Sequence, residues 1–193
     1  MTQGVFGLLK GEKVTLRPLD LNDVEDMVRW ALDVELNILG GWPDLSSIAK
    51  RRDRFEKRIK DPPEDLVQMA IEVDGKPIGE IAFHHVEWEQ QRGEIGISIE
   101  KPYWGKGYGK DAAVTFLQYL FLVKNVRKAT AQSYDFNQAS ISLFKSVGFT
   151  QEGLLRSHEF TTGAWRDMYV FGMLRDEFLE RYPDRRYSVP QRV

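Results

Sequence analysis

The sequence contains no cysteine and only three histidines in 193 residues. The absence of cysteine excludes disulfides, thiolate nucleophiles and cysteine-based zinc sites. The histidines, His84, His85 and His158, follow no metal-ligand spacing, so we expect no metal. A formal net charge of −2 gives no electrostatic argument for nucleic acid or an anionic membrane as a partner.

The chain also lacks the run of roughly 18 apolar residues that a membrane span needs. Its first residues, MTQGVFGLLKGEK, show no basic segment followed by a sufficient apolar stretch, so they predict no signal peptide. We therefore expect a cytoplasmic protein. Hydrophobic residues make up 42% and charged residues 29% of the chain, an ordinary globular composition, and the length favours one domain.

Periodicity along the first half predicts an antiparallel meander. The predicted elements are a strand at 13–20, a helix at 21–36, a charged helix at about 46–60, a hairpin at 65–88 and a strand at 92–100. The first helix is predicted to begin with Asn22 or Asp23 as its cap. Its apolar face is predicted to contain Val24, Met27, Val28, Ala31 and Leu32. The hairpin turns at Asp74-Gly75, a dipeptide that favours tight β-turns.

The second half alternates helices with strands. A helix follows the glycines at 105–109, then a strand at 127–135, a helix at 137–149 ended by Gly148, and a pair of strands in 149–174. The pattern predicts a mixed α/β layer architecture. We assign residues 1–180 to one domain and 181–193 to a polar C-terminal tail.

Three glycines, Gly105, Gly107 and Gly109, stand directly before an alanine-rich helix. A glycine-rich turn at a helix N-terminus lets backbone amides converge on an anion. A Walker loop is excluded, because Gly109-Lys110 is followed by Asp111 and not by serine or threonine. Dinucleotide and kinase loops are excluded, because Lys110 stands where their third glycine is required. On the glycines alone, a plain strand-to-helix turn is the alternative.

Two motifs in register make the chain resemble the GNAT superfamily of acyl-CoA-dependent N-acetyltransferases over nearly its whole length. The segment Trp104-Gly105-Lys106-Gly107-Tyr108-Gly109 matches the family signature Gln/Arg-x-x-Gly-x-Gly/Ala, except that tryptophan replaces its first residue. That replacement resembles the branch that acetylates the N-termini of ribosomal proteins. The second motif is Asn137-x-x-Ser140, followed by an amphipathic helix that ends in Gly148-Phe149.

The resemblance implies an α/β (α+β) GNAT fold in one domain, with a mixed, mostly antiparallel central sheet of about seven strands flanked by helices. It also implies acetyl-CoA as co-substrate, with the amides of residues 105–110 holding the pyrophosphate. Lys106 and Lys110 either add positive charge there or are ordinary surface lysines. The pantetheine arm is expected to bond the backbone of Ile97 and Ile99, and one amide of that stretch polarises the thioester carbonyl. Asn137 is a helix cap that also reaches coenzyme A, or a cap alone.

A cysteine-free chain cannot form an acetyl-cysteine intermediate, which favours direct attack by an amine in a ternary complex. A lysine-like amine has a pKa of about 10 and arrives protonated, so a carboxylate has to take its proton. The resemblance favours Glu94 as this base; the alternative is a solvent-facing or cross-strand paired acid. Glu80, His84 and His85 are weaker candidates. Adjacent histidines in a strand point to opposite faces, so at most one of the two is expected to line the site.

Many family members protonate the departing thiolate with a tyrosine seven residues after the motif asparagine, but Phe144 stands at that position here. Ser140 is the substitute that the resemblance implies; the alternative is a first-turn serine bonded to the backbone. Tyr134 is the second candidate donor. The missing tyrosine leaves a non-catalytic acyl-CoA-binding or sensing module open as the alternative to an enzyme.

The amine acceptor is a protein N-terminus, a polyamine or a small-molecule amine, and the sequence does not choose among them. We expect segments 33–47 and 157–165 to select it. Asp33, Glu35 and Asp44 either attract a cationic amine there or are simply solvated acids. The expected assembly is a monomer or a homodimer.

Overall fold

The computed structural model describes residues 9–41 and 46–185, and within them one eight-stranded sheet runs through the molecule. The strands are β1 (Leu9–Lys10), β2 (Thr15–Pro18), β3 (Val67–Val73), β4 (Lys76–Glu87), β5 (Arg92–Ile99), β6 (Lys128–Tyr134), β7 (Thr150–Thr161) and β8 (Ala164–Leu174). Their spatial order is β1-β2-β3-β4-β5-β6-β8-β7. All neighbours pair antiparallel except β5 and β6, which are parallel. The mostly antiparallel mixed sheet is therefore confirmed, and the short β1 adds a strand to the seven expected.

Six α-helices flank the sheet in the described part of the chain. They are α1 (Val24–Leu32), α2 (Val34–Gly40), α3 (Ile48–Lys60), α4 (Tyr108–Leu122), α5 (Gln138–Val147) and α6 (Arg175–Arg181). Short 3-10 turns cover Leu21–Asp23, Lys101–Tyr103 and Pro183–Arg185. None of the helices in residues 9–41 and 46–185 is long and apolar enough to cross a membrane.

The main core lies on the sheet face that carries Ile81, Phe83 and Ile95. These side chains pack with Phe116 and Leu117 of α4, and all five are buried. The alternation of strand side chains explains the pattern, because isoleucine and phenylalanine recur at every second position toward α4. The other face carries polar side chains at the central strands and is approached by α1 and α3.

The single helix predicted at 21–36 is wrong, because the chain breaks at Asp33. That residue has extended backbone angles (φ −73°, ψ 110°), and its carboxylate accepts the Leu36 amide at 3.2 Å to begin α2. The break removes Leu32 from the predicted apolar face: its side chain is 47% exposed, and Trp30 is buried instead. An aspartate that can cap a new helix therefore outweighed the continuing periodicity.

Asp23 is the N-cap residue of α1, as predicted, but its side chain makes no capping bond to that helix. Asp20 precedes the first turn and accepts the Asn22 amide at 2.9 Å, and Asp23 closes a reciprocal capping box with it. Asp23 is instead buried in an ion pair with Arg17 at 2.7 Å. The charged helix, the hairpin at Asp74-Gly75 and the helix ended by Gly148 are confirmed.

The first residues of the C-terminal tail pack against the domain. The Tyr182 hydroxyl donates to the Val147 carbonyl at 2.9 Å, and Arg185 lies 3.2 Å from the carboxylate of Glu12. The rest of the tail, residues 186–193, lies outside the described residues.

Candidate active site

The sheet opens between β5 and β6. Their parallel pairing covers only residues 92–94 and 128–130, and the last pair is Glu94 with Thr130. From there β5 continues to Ile99 and β6 to Tyr134. The two strands therefore border a wedge-shaped gap whose walls are backbone groups.

Peptide groups of Ile97 and Ile99 face this gap. The Glu100 amide donates to the Ile78 carbonyl in β4 at 2.9 Å. Because the directions of N–H and C=O groups alternate from residue to residue along a strand, those of Ile97 and Ile99 point away from β4 and into the gap. The Ile99 carbonyl is already occupied, since the Trp104 indole N–H donates to it at 2.6 Å. The groups left directed into the gap are the N–H and C=O of Ile97 and the N–H of Ile99.

The glycine loop lies at the end of β5 and opens α4. Gly105 and Gly107 have φ values of 71° and 83°, in the left-handed region that glycine tolerates. Gly107 is the N-cap residue of α4, and no side chain within residues 9–41 and 46–185 caps this helix. Its first amides, at residues 108–110, are therefore left for an external anion, as a pyrophosphate site requires.

Three lysines, Lys13, Lys106 and Lys110, surround the glycine loop. The Lys106 carbonyl accepts a hydrogen bond from the Lys13 ammonium at 3.0 Å, which ties the loop to the start of β2. The Lys106 ammonium lies 5.5 Å from the centroid of the Tyr103 ring, and Lys110 is exposed. Tyr108 is half-buried beside Tyr103, with 6.2 Å between the ring centroids.

Asp111 is a residue of this region that the sequence reasoning missed. Its carboxylate is 8% exposed and accepts three backbone amides, from Glu12 at 3.0 Å, Lys13 at 2.6 Å and Val14 at 2.9 Å. The first turn of α4 is thereby fastened to the turn between β1 and β2. In the sequence, the only signal for this role was an acidic residue directly before the alanines of α4.

The second motif lies at the start of α5. The Asn137 side-chain oxygen accepts the Ser140 amide at 3.0 Å, and its NH₂ group donates to the Leu39 carbonyl at 3.1 Å. The amide is thus satisfied as a cap and as a tie to α2, and contact with coenzyme A stays a prediction. The Ser140 hydroxyl has no hydrogen-bond partner among the described residues, which disfavours the backbone-bonded alternative. One turn on, Leu143 would lie 3.6 Å from a Cβ at Gly109, so α5 borders the loop.

The alternative donor, Tyr134, is already engaged. Its hydroxyl donates to the carboxylate of Glu159, and burial together with this bond raises the pKa of Tyr134 to about 12. Glu159 was not singled out from the sequence, because only the fold brings β7 to the end of β6. Phe144 is 2% exposed and packs in the main core, so its position offers no donor.

Glu94 borders the narrow end of the gap. Its carboxylate accepts a hydrogen bond from the Gln132 side chain at 3.1 Å across the separating strands. Burial raises the pKa of Glu94, although the nearby His85 and the bond from Gln132 act in the opposite direction. A carboxylate with a raised pKa is a better proton acceptor near neutral pH, which suits a general base.

The prediction that His84 and His85 point to opposite faces is wrong. The pairing of β4 with β5 shifts register between His84 and Glu87, and His85 takes a left-handed φ of 52°. This bulge turns the two rings toward each other, with centroids 4.7 Å apart and planes at 87°. An inserted residue breaks the two-residue alternation on which the prediction rested.

Glu80 is held away from the gap on the same sheet face. It lies opposite Ser98, accepts a hydrogen bond from Gln68 at 2.6 Å, and is 3.5 Å from the Arg58 guanidinium of α3. Burial raises the pKa of its carboxyl. These partners indicate that Glu80 joins α3 to the sheet.

The acids proposed for acceptor selection have different environments. Asp33 caps α2, and Glu35 is ion-paired with Lys101. Asp44 lies outside the described residues. Segment 157–165 forms the end of the β7–β8 hairpin, where Phe160 and Trp165 are exposed and their ring centroids lie 5.8 Å apart.

Comparisons with known proteins agree with this fold. The family model described as an acetyltransferase (GNAT) domain matches residues 13–150. The SPbeta prophage-derived uncharacterized N-acetyltransferase YokL of Bacillus subtilis (strain 168) is 32% identical over 173 residues, which cover 87% of this chain and 93% of the relative. The spermidine N(1)-acetyltransferase of Escherichia coli (strain K12) is 26% identical over 171 residues, covering 88% and 90%.

Solved structures share the fold. The spermidine N-acetyltransferase of Vibrio cholerae in complex with CoA and spermine has a TM-score of 0.80 at 21% identity, covering 86% of this chain and 98% of that one. A ribosomal L7/L12 alpha-N-protein acetyltransferase in complex with coenzyme A has a TM-score of 0.77 at 17% identity, covering 88% and 99%. The wedge-shaped gap and the glycine loop thus occur within a fold that these proteins share.

Proposed function

The chain belongs to the GNAT acetyltransferase family, and from this premise we propose that it moves an acetyl group directly from acetyl-CoA to a primary amine in a ternary complex. The observation that carries the proposal is the gap between β5 and β6, which has the uncapped amides of α4 near one end and Glu94 at the other. The relatives are named N-acetyltransferases, so the chain is an enzyme and not a sensing module.

The backbone supplies the acetyl-CoA site in this proposal. Amides of residues 105–110 hold the pyrophosphate, and the left-handed Gly105 and Gly107 let it approach closely. The free backbone groups of Ile97 and Ile99 bond the pantetheine arm, and the Ile97 amide polarises the thioester carbonyl. The Ile99 carbonyl does not bond the pantetheine arm, because it already accepts the Trp104 indole N–H. The indole thereby positions the end of β5.

Two side chains carry the protons. Glu94 removes a proton from the ammonium of the acceptor, and the free amine attacks the carbonyl carbon. The collapse of the resulting tetrahedral species breaks the carbon–sulfur bond. The Ser140 hydroxyl, unpartnered within the described residues, hydrogen-bonds the departing sulfur and passes it a proton, and it regains one from the attacking nitrogen, which gives up its second hydrogen as the amide forms. Tyr134 would have to leave Glu159 to do the same.

The acceptor classes remain a protein N-terminus, a polyamine and a small-molecule amine. The relatives and structural neighbours include proteins named for spermidine and for ribosomal protein L7/L12. The carboxylates of Glu94 and Glu159 near the gap favour an acceptor that arrives as a cation, whichever of the three classes it belongs to. We include in the proposal a cytoplasmic location and a monomer or homodimer.

The experiment is acetyl-CoA turnover with a panel of spermidine, a peptide with a free N-terminus and a small primary amine. Because the pKa of Glu94 is raised, we expect kcat/KM to fall as pH drops through that pKa. Glu94→Gln should lose this acid limb, and its low rate should recover as pH rises and free amine forms unaided. The matched control is Glu87→Gln, an exposed acid on β4 that pairs with Arg92.

Two results would contradict parts of the proposal. Turnover with none of the amines would overturn the transfer itself. Turnover with a wild-type pH profile in Glu94→Gln would move the base to another acid, with Glu159 next in line because it bonds Tyr134 where β6 ends beside the gap.

A further inference from the structure

The two adjacent histidines form a paired unit beside the proposed base. His84 lies directly opposite Glu94 in the register of β4 and β5, and its Nε2 atom lies 3.3 Å from where a Cβ of Gly96 would stand. His85 is exposed. The pair therefore connects the narrow end of the gap with solvent.

The contact between the rings defines their protonation. The two Nδ1 atoms are 3.2 Å apart, so one of them carries a hydrogen and the other presents a lone pair. Burial lowers the pKa of His84, and the neighbouring His85 lowers it further, which favours the neutral form of His84. When a neutral His84 accepts through Nδ1, His85 donates its Nδ1 hydrogen, and its Nε2 atom has no hydrogen-bond partner among the described residues.

Resting on the proposed function, we propose that His85 carries the proton of the acceptor amine from Glu94 to solvent, and that His84 holds its ring in position. Glu94 gains the proton from the ammonium and must lose it before the next turnover. The O–H bond of Glu94 breaks as an N–H bond forms at His85 Nε2. The imidazolium then releases the same proton to water, which restores both residues.

The charges around the pair suit a transient imidazolium. Glu94 faces it from β5, and Asp65 faces it from the segment before β3 and acts to raise the pKa of His84. Further along β4, Glu87 is neutralised by its ion pair with Arg92. Once Glu94 has passed on its proton, its carboxylate also stabilises the cation. Two imidazolium rings 4.7 Å apart would repel each other, so a second positive charge on the pair is unfavourable.

His85→Asn tests the transfer, because asparagine tolerates left-handed backbone angles such as the φ of 52° at this position. We expect kcat to fall about tenfold, below the usual range of acid–base effects because Glu94 remains. The KM values for both substrates should stay within about twofold, and added imidazole should restore kcat by replacing the missing base. His84→Phe retains a ring over Gly96, and we expect a smaller, likewise imidazole-sensitive loss.

The controls are the wild-type enzyme, which imidazole should not accelerate, and Gln91→Asn. Gln91 lies at another left-handed position, with φ 53°, in the turn between β4 and β5, and this variant should keep full activity. A kcat for His85→Asn within twofold of wild type would overturn the proposal, and so would a loss that imidazole does not restore. If His85→Asn does not fold, the same criteria apply to His84→Phe. Failure of the proposed function is distinguishable, because wild-type enzyme would then acetylate none of the amines.

Discussion

Removal of the Asp111 carboxylate is expected to destabilise the protein and loosen the glycine loop together. In Asp111→Ala, three backbone amides between residues 12 and 14 lose their acceptor. A hydrogen bond to a charged group contributes about 1.5–3 kcal/mol after its desolvation cost is included. The three bonds share one carboxylate, so their contributions do not simply add. The expected net loss is about 3 kcal/mol, the upper value for one such bond.

Urea and thermal denaturation measure this loss directly. A chain of this size changes its Tm by about 2–4 °C per kcal/mol, so Tm should fall by roughly 6–12 °C. Acetyl-CoA affinity should weaken by roughly tenfold, about 1.4 kcal/mol, because the first turn of α4 is no longer fastened to β2. Calorimetric titration below the new Tm measures that second effect.

The matched control is Asp176→Ala, which removes an exposed first-turn acid from α6. It loses only a favourable interaction with the helix dipole, worth less than about 1 kcal/mol. If Asp111→Ala is no less stable than this control, the three amides do not depend on the carboxylate, and the reasoning fails. If stability falls but acetyl-CoA affinity does not change, the bonds of Asp111 stabilise the fold without ordering the glycine loop.

Three further predictions concern binding and chemistry. Gly107→Val should weaken acetyl-CoA binding at least tenfold (about 1.4 kcal/mol) by calorimetry, whereas Gly75→Val, which has a similar φ of 77° in the hairpin turn, should strain the backbone without this effect. Ser140→Ala should lower kcat by about 100-fold, the low end for acid catalysis, with acetyl-CoA affinity nearly unchanged. Full activity in this variant would transfer the donor role to Tyr134 or water. The control is Ser146→Ala in the same helix. Initial rates with both substrates varied should give intersecting double-reciprocal lines, and parallel lines would indicate a covalent intermediate.

The raised pKa values on the polar face of the sheet serve different purposes. Glu80 is held by Arg58 and Gln68, so its perturbed carboxyl belongs to the attachment of α3. Within the described part of the chain, Glu94 has an amide donor and a nearby imidazole as its partners, which leave it able to gain and lose a proton. Burial raises the pKa of both acids, but the partners decide which one is suited to proton transfer.

Local patterns in the sequence determined most of the elements and the position of the glycine loop that we propose for acetyl-CoA. Alternating isoleucines predicted β5, the Asp74-Gly75 turn predicted the hairpin, and the glycines at 105–109 predicted a loop that opens a helix. These features depend on the conformations of neighbouring residues, which a short stretch of sequence specifies. The same locality explains why Asn137 was identified as a cap.

The tertiary structure decided where local preferences compete and where distant segments meet. The bulge that joins His84 to His85 depends on the pairing of β4 with β5, which no single strand specifies. The Asp111 carboxylate meets the amide of Glu12 from 99 residues away, and Tyr134 meets Glu159 only because β7 returns beside β8. Such contacts depend on the packing of the whole sheet, so the partners of the candidate base and of both candidate donors emerge only from the fold.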